Sequence, residues 1–194
     1  TGRNDWFSVL NPDDNSEFYQ SISGSFVFSE LMKSQKWLSY GKLRASWAEV
    51  GSSNGVNPYD GVLTYGIGAN QFNGQTTATI NGNVAPNQFL RPFSVREKEI
   101  GLELRMFNNR VFVDVAAFDK VTTDQILGVV LSNTSGYDQS KQNLGSLKNS
   151  GVEFLIEVTP VQTRNFTWTT SWNNAFLATE VLSVGAPDEI IVVN

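Results

Sequence analysis

The 194-residue chain contains no cysteine and no histidine. Without cysteine there is no disulfide framework and no thiolate metal site. Without histidine the chain lacks the side chain that most often acts as a general base or a neutral nitrogen ligand near pH 7. These two absences remove much of the usual catalytic and metal-binding chemistry. The sequence therefore predicts no enzyme activity, no cofactor and no metal site.

A basic segment and a long apolar run are also missing. The 14 Lys and Arg residues are outnumbered by 19 Asp and Glu residues, and they form no block. Nucleic-acid binding needs clustered positive charge, so we expect no nucleic-acid partner. No stretch approaches the roughly 18 consecutive apolar residues of a membrane helix. A membrane β-barrel remains open, because its strands present apolar side chains to lipid only at every second position.

What the chain does contain is alternation with a period of two, which predicts β-strands along most of its length. Residues 18–30, 40–50 and 96–106 alternate apolar with polar or charged side chains, as do the segments that begin near Val111, Val152 and Phe166. Residues 1–8 have the character of the end of an earlier strand. The sequence predicts an all-β fold of about seven antiparallel strands.

Three features favour a membrane barrel over a soluble sheet. The predicted strands approach the 9 to 11 residues, roughly, that a tilted strand needs to cross a bilayer. Tight connections at 107–110 and 162–165 alternate with long polar ones at 51–92 and 128–145, as short periplasmic turns alternate with long outer loops. Aromatic residues also cluster near the predicted short turns, where an interfacial girdle is expected; they are Phe28, Trp37, Tyr40, Phe107, Phe166 and Trp168.

Several motifs, in order along the chain, resemble those of SusC/RagA-type TonB-dependent outer-membrane transporters. They are GRNDWFS at 2–8, FYQSIS at 18–23, LSYGKLRASWAEVG at 38–51, EIGLE at 99–103, FNNRV at 107–111 and NSGVE at 149–153. The resemblance implies a plugged barrel of roughly 22 strands, of which residues 1–194 supply a C-terminal part of the wall without the plug domain. The absence of an initiator Met or signal-type segment, and the end at Asn194 after the apolar run at 190–193, also suggest a fragment.

The same resemblance implies function and partners. Such transporters lie in the outer membrane of Gram-negative, Bacteroidota-like cells, in contact with its lipid. They import oligosaccharides or peptides together with a SusD-like surface lipoprotein, using energy that TonB–ExbB–ExbD deliver through the N-terminal region. The chain would supply the wall and some of the outer loops that capture the ligand.

Candidate ligand-binding residues lie in the two long polar connections. Flat aromatic faces and amide or carboxylate groups suit sugars and peptide backbones. The residues are Asn57, Tyr59, Asp60, Tyr65, Phe72 and Asn73 in the first connection, and Asn133, Tyr137 and Asp138 in the second. Packing of these side chains between loops, or against the lid lipoprotein, is the alternative.

Two further patterns have simpler explanations. The segment 11–17 is rich in oxygen ligands and would admit a structural calcium ion, but it lacks the spacing of an EF-hand loop and favours a solvated turn. Several carboxylates lie on the polar faces of the predicted strands. We expect them to line a hydrated lumen, with Arg44, Arg105, Lys98 or Lys120 as partners, and not to form a catalytic acid–base pair. They are Glu97, Glu99, Glu103, Asp114, Glu153 and Glu157. A secreted β-sandwich adhesin or carbohydrate-binding module is the alternative fold and function, and a barrel enzyme would need catalytic residues outside this chain.

Overall fold

A computed structural model describes residues 1–32 and 35–185, and they form one large antiparallel sheet with a small separate hairpin. The strands are β1 Gly2–Trp6, β2 Ser16–Phe26, β3 Leu38–Ser52, β4 Tyr65–Phe72, β5 Gln75–Ile80, β6 Val84–Ala85, β7 Phe93–Met106, β8 Val111–Val130, β9 Gln139–Gln162 and β10 Thr167–Ser183. The apolar run at 190–193 lies outside the described residues.

Seven strands follow one another in the large sheet in the order β1-β2-β3-β7-β8-β9-β10. Each is antiparallel to its neighbours, and the short strand β6 joins β9 in parallel, with Val84 opposite Gln139. The prediction of about seven antiparallel strands is confirmed, as are the tight turns at 107–110 and 162–165. Within the described ranges no second sheet of comparable size packs on this one, so the β-sandwich alternative is wrong.

Three predicted boundaries are wrong. The connection predicted at 51–92 begins only after Ser52 and contains the strands β4, β5 and β6. Residues 128–145 are not one loop, because β8 continues to Val130 and β9 begins at Gln139. Only residues 131–138 connect these strands, so the hairpin extends far beyond the predicted strand ends. The predicted strand at 18–30 is also shorter, since β2 ends at Phe26 and the chain turns through a 3-10 helix at Phe28–Leu31.

The two faces of the large sheet have opposite character near its short turns. On the apolar face, Val113 of β8 lies between Leu104 of β7 and Ile156 of β9. The next residue, Asp114, lies on the charged face between Glu103 and Leu155. The apolar face is solvent-exposed in this chain at large side chains of several strands, among them Ile100, Val152, Trp172 and Phe176.

The apolar face ends at a row of residues in register, which we call the boundary row. It consists of Trp47, Lys98, Asp119, Ser150 and Ala178. Beyond it the same face carries charge, including an ion pair of 2.9 Å between Arg96 and Glu49. At roughly 3.4 Å per residue, Asp119 lies about 27 Å along β8 from Val111. A tilt of about 40° converts this length to a height of roughly 20 Å, comparable to the apolar band of outer-membrane barrels.

Aromatic side chains surround the short turns as predicted, with one exception. Trp37, Phe107, Phe166 and Trp168 are exposed beside these turns, and Phe28 lies in the 3-10 helix. Tyr40 instead lies on the charged face, where the guanidinium of Arg105 is 5.7 Å from its ring centroid. Its assignment to the girdle is wrong, because the parity of β3 directs it to the face of Lys42 and Arg44.

Candidate functional site

The predicted ligand-binding residues lie at the end of the sheet opposite the short turns, beyond the boundary row. They do not form one cluster. Asn57, Tyr59 and Asp60 lie where the 53–92 loop leaves β3, Tyr65 and Phe72 lie on the β4–β5 hairpin, and Tyr137 and Asp138 lie beside β9. The structure therefore separates a base of the long loop from its tip.

The base of the loop is fixed by an ion pair to β9. Lys141 donates from Nζ to Asp60 Oδ2 over 2.7 Å and to the carbonyl oxygen of Gly55 over 2.6 Å. The backbone N–H of Asn57 donates to the same carboxylate oxygen over 2.6 Å. The side chains of Lys141 and Asp60 are only 18% and 16% exposed. Asp60 is thus committed to holding the loop, and its charge is neutralised there.

The returning part of the loop is fixed in a similar way. Asn143 of β9 accepts from the backbone N–H of Arg91 over 3.1 Å and donates to the carbonyl oxygens of Arg91 and Asp124 over 2.8 and 2.9 Å. Arg91 pairs with Asp124 over 2.8 Å, and Asn87 donates from Nδ2 to the carbonyl oxygen of Lys141 over 2.7 Å. Both ends of the loop are therefore attached to the extended β8–β9 hairpin.

The shorter connection at 131–138 is ordered by the long loop. Asp138 donates its backbone N–H to the carbonyl oxygen of Asn83 over 2.8 Å and accepts at Oδ2 from Asn83 Nδ2 over 2.9 Å. Tyr137 is half-buried, and its backbone N–H lies 3.2 Å from Ser135 Oγ. Asp138 consequently contributes to loop packing, which is the alternative considered for each predicted ligand residue.

The tip of the long loop is the β4–β5 hairpin, which projects from this base. Its strands are joined by Asn73 and Gly74, both in the left-handed region with φ of 50° and 74°, the backbone that a two-residue type I′ turn requires. Tyr65 and Phe72 are exposed on the hairpin. Their rings are accessible to a ligand or partner.

A cleft of about 420 Å³ lies between the base of the long loop and the loop that joins β1 to β2. It is lined by Ser8, Val9, Leu10, Asn11, Pro12, Pro58, Tyr59, Gly61, Val62, Asn87, Gln88 and Leu90. Of the predicted ligand residues, Tyr59 alone lines this cleft. In the segment 11–17, considered for calcium, Asp13 N donates to Asn11 Oδ1 over 3.2 Å in a turn, and β2 begins at Ser16.

The charged face carries a second concave surface. Lys42 pairs with Glu103 over 2.6 Å, and Arg44 bridges Glu99 and Asp114 over 3.3 and 2.9 Å. Lys120 and Glu97 are 3.7 Å apart. The shallow depression beside Arg44 has a volume of about 610 Å³ and is also lined by Asp114 and Glu153. Cross-strand ion pairing of these carboxylates agrees with the prediction of a charged face. The prediction of Lys98 as a partner is wrong, because the register places it on the opposite face, in the boundary row.

Neither surface has the arrangement of a metal centre. In the ranges 1–32 and 35–185 no three acidic side chains come together to hold a metal ion. None of the helices in those ranges is long and apolar enough to cross a membrane. The loops beyond the boundary row therefore offer a ligand apolar contacts and hydrogen bonds.

Lys141 and Asn143, which fix the loops at this end of the molecule, were not predicted from the sequence. Both were placed in a predicted loop, although they belong to β9. Their partners lie 81 and 52 residues away in sequence. No local pattern connects residues at such separations, so only the fold could have found them.

Comparisons with known proteins agree with this architecture. Residues 1–187 match the family model described as TonB dependent receptor-like, beta-barrel. TonB-dependent receptor P26 of Formosa agariphila is 35% identical over 99% of this chain and 20% of its own length. TonB-dependent receptor SusC of Bacteroides thetaiotaomicron is 26% identical over 97% of the chain and 19% of its own length. The chain therefore spans about a fifth of the curated relatives that it matches.

Solved structures give the same result for the fold. A structure of the RagAB peptide transporter superimposes with a TM-score of 0.86 at 25% identity, over 95% of this chain and 20% of that chain. The RagAB peptide importer in its closed-closed state gives a TM-score of 0.88 at 24% identity over 96% and 20%. The siderophore receptor PirA from Pseudomonas aeruginosa is more distant, with a TM-score of 0.55 at 17% identity over 88% and 30%.

Proposed function

The chain belongs to the TonB-dependent receptor-like β-barrel family, and on this premise we propose that it forms part of the wall of an outer-membrane importer. All of residues 1–194 would belong to the barrel domain, with the plug and the remaining strands supplied by the rest of a longer protein. The cargo would be an oligosaccharide or a peptide. The proposed activity is transport and not catalysis.

The proposal rests on one observation. Between the short turns and the boundary row, the two faces of the large sheet have opposite character. The exposed apolar face suits lipid, because each large apolar side chain left in water forgoes its transfer free energy. The opposite face, with Lys42, Arg44, Glu99 and Glu103 in cross-strand pairs, suits a hydrated lumen. A soluble sheet would need a second layer to cover its apolar face.

Beyond the boundary row, the loops would capture the cargo. The exposed aromatic side chains there include Tyr59, Tyr65 and Phe72, and also Phe89, which was not predicted. Flat rings bind both sugar faces and peptide groups. Asn57 and Tyr137 would contribute hydrogen bonds at the margin of this region. Asp60 and Asp138 would act by fixing the loops, as their contacts with Lys141 and Asn83 indicate.

The partners follow from the family and from the names of similar proteins. RagAB is described as a peptide importer and transporter, and SusC is named as a TonB-dependent receptor. We propose a SusD-like surface lipoprotein as the lid over the loops and TonB–ExbB–ExbD as the energy source, acting through the N-terminal region of the full protein. No cofactor is part of the proposal.

Purification of the full-length protein from detergent-solubilised outer membranes, followed by mass spectrometry, tests these assignments. We expect recovery from the membrane fraction, with a SusD-like lipoprotein and bound oligosaccharide or peptide. Uptake of that cargo should stop when TonB is deleted, because transport through a plugged barrel needs external energy. Recovery only from the soluble secreted fraction, without a membrane partner, would overturn the proposal.

A further inference from the structure

The cleft beside Tyr59 is a formed site to which no ligand has been assigned. Its volume of about 420 Å³ lies within the range of roughly 300 to 1,000 Å³ typical of small-ligand sites. Its walls come from residues 8–12 on one side and from residues 58–62 and 87–90 on the other. Three chain segments that are distant in sequence therefore converge on it.

The floor and walls of the cleft are held in place before any ligand binds. Leu10 and Leu90, only 7% and 2% exposed, provide a buried apolar floor. Asn11 Nδ2 donates to the carbonyl oxygen of Gln88 over 3.2 Å and so joins the two loops. Asn87 N donates to the carbonyl oxygen of Asp60 over 2.9 Å. A site preformed in this way loses little conformational entropy on binding.

Tyr59 and Val62 form an exposed apolar rim. They are 73% and 60% exposed, and Val62 N donates to the carbonyl oxygen of Tyr59 over 2.9 Å. Tyr59 has φ of 72°, a left-handed backbone that is uncommon for a bulky residue. Such strain concentrates at functional sites. Here it is maintained next to the Asp60–Lys141 ion pair, which fixes the following residue.

Two of the five polar side chains in the lining, those of Asn11 and Asn87, are occupied by protein hydrogen bonds. Asn11 donates to Gln88 and accepts from Asp13 N. Asn87 donates to Lys141 O and accepts from Phe89 N. Among the lining residues, all of them in the described part of the chain, Ser8, Gln88 and the hydroxyl of Tyr59 make no side-chain hydrogen bond and so remain for a ligand. The adjacent carboxylate of Asp60 is neutralised by Lys141.

The apolar floor of Leu10 and Leu90 distinguishes between the two cargo classes. A sugar ring would bring several hydroxyl groups against the apolar floor, and each buried hydroxyl without a partner is penalised. An aliphatic side chain would be buried without that penalty, while its peptide backbone has polar groups for Ser8 and Gln88. A small cleft also fits one or two side chains, whereas a stable protein partner needs a broad surface.

We infer that this cleft is a subsite for an uncharged apolar side chain, such as Leu, Val or Pro, of a short peptide ligand. The inference rests on the proposed import function and narrows its cargo from oligosaccharides or peptides to peptides. Tyr59 and Val62 would contact the side chain at the rim. Leu10 and Leu90 would contact it at the floor.

The test uses the full-length protein with its native partners in detergent. Two pools of synthetic hexapeptides are compared, identical except that the two central positions are Leu, Val or Pro in one and Ser or Asn in the other. Mass spectrometry measures the peptides that the protein retains. We expect retention of the apolar-centre pool to be higher by roughly tenfold or more, since burial of one aliphatic side chain contributes about 1.5 kcal/mol or more.

The Val62→Asp variant places a charge at the rim and should reduce that preference to near unity. Ile67→Asp is the matched control, because Ile67 is an exposed apolar residue of the β4–β5 hairpin and does not line the cleft; it should keep the wild-type preference. Equal retention of the two pools, or equal loss in both variants, would overturn the inference.

A third probe, a mixture of maltooligosaccharides, separates failure of the subsite from failure of the proposed function. If oligosaccharides are retained and Val62→Asp abolishes their binding, the cleft is a sugar site and the inference is wrong, although import stands. If Val62→Asp instead releases the lid lipoprotein, the cleft is a protein-docking site and the inference is again wrong. A protein absent from the outer membrane overturns both the subsite and the import function.

Discussion

The two ends of the β8–β9 ladder differ in which side chains are buried. Between the short turns and the boundary row, large apolar side chains such as Val152 are exposed on one face. Above the row, the side chains that are almost fully buried include the polar residues Thr122 and Ser140. The backbone pairing continues through both regions. In the proposed barrel, one continuous sheet would therefore meet two solvents: lipid between the short turns and the boundary row, and water with packed loops beyond it.

The sharpest test of this contrast places the same charge at both ends of β8. Val115 lies in the middle of the apolar face, whereas Val130 is 83% exposed at the far end of the strand. Val115→Lys should lower the free energy of unfolding of the full-length protein in lipid vesicles by about 2–4 kcal/mol, as for a charge near the bilayer midplane. Val130→Lys should change it by less than about 0.5 kcal/mol. Denaturant titration measures both, and equal effects would contradict the assignment of the apolar face to lipid.

A smaller effect on stability is expected from the packing of glycine residues on the apolar face. A methyl group added at Gly41 would lie 2.5 Å from the ring of Phe28, whereas one added at Gly24 would have nothing within 4 Å. Gly41→Ala should therefore reduce stability by about 1–3 kcal/mol through overpacking, and Gly24→Ala should leave it nearly unchanged. The same titration applies. Combining Gly41→Ala with Phe28→Ala should restore part of the loss; a fully additive loss would show that the ring and the glycine do not interact.

At the loop end of the sheet, the corresponding test removes the Asp60–Lys141 ion pair, which fixes the long loop. Lys141→Met leaves the half-buried carboxylate of Asp60 without its cation and should lower the local opening free energy at residues 55–62 by about 1–2 kcal/mol. Hydrogen exchange of those amides measures it. Lys120→Met is the control, because the pair with Glu97 spans 3.7 Å and both side chains are about 40% exposed. Unchanged exchange in Lys141→Met would show that the ion pair does not hold the loop.

The smallest effect concerns the surface just above the boundary row. Arg96 and Glu49 form a pair of 2.9 Å in which the arginine side chain is 55% exposed. Arg96→Ala should cost less than about 1 kcal/mol at low salt, and the difference should vanish near 1 M salt because exposed pairs are screened. Parallel unfolding titrations at the two salt concentrations measure this. A difference that persists at high salt would place Arg96 in a drier environment than the boundary row implies.

The strands near the short turns were predicted well from the sequence, because apolar and polar residues alternate most clearly where the two faces of a sheet meet different environments. The segment Glu99–Leu104 shows it, since glutamates alternate with isoleucine and leucine and the observed strand β7 covers the predicted one. The turn at 107–110 follows from Asn108 and Asn109, which adopt φ of 57° and 63°. Asparagine tolerates this left-handed backbone better than most residues.

The end of the sheet that carries the long loops was predicted less well, for a physical reason. In the stretch after Gly128 both faces of the ladder meet water or polar loops, so no alternation marks the strand, and glycine and amide residues suggested a loop. The candidate aromatic residues at 59, 65 and 72 do lie in the predicted long connection between β3 and β7. Their separation between base and tip depends on Lys141 and Asn143, whose contacts arise only from the folded chain.

The two-residue turn at Asn73 and Gly74 has a consequence for how this protein can change over time. The hairpin side-chain hydrogen bond, from Thr77 Oγ1 to the carbonyl oxygen of Asn70 over 2.7 Å, stays within the hairpin, while the loop base is fixed separately by Asp60 and Lys141. Extra residues at such a tip add only a slowly growing closure entropy. Length variation among lineages, and insertion of an epitope for surface labelling, should therefore concentrate at this turn.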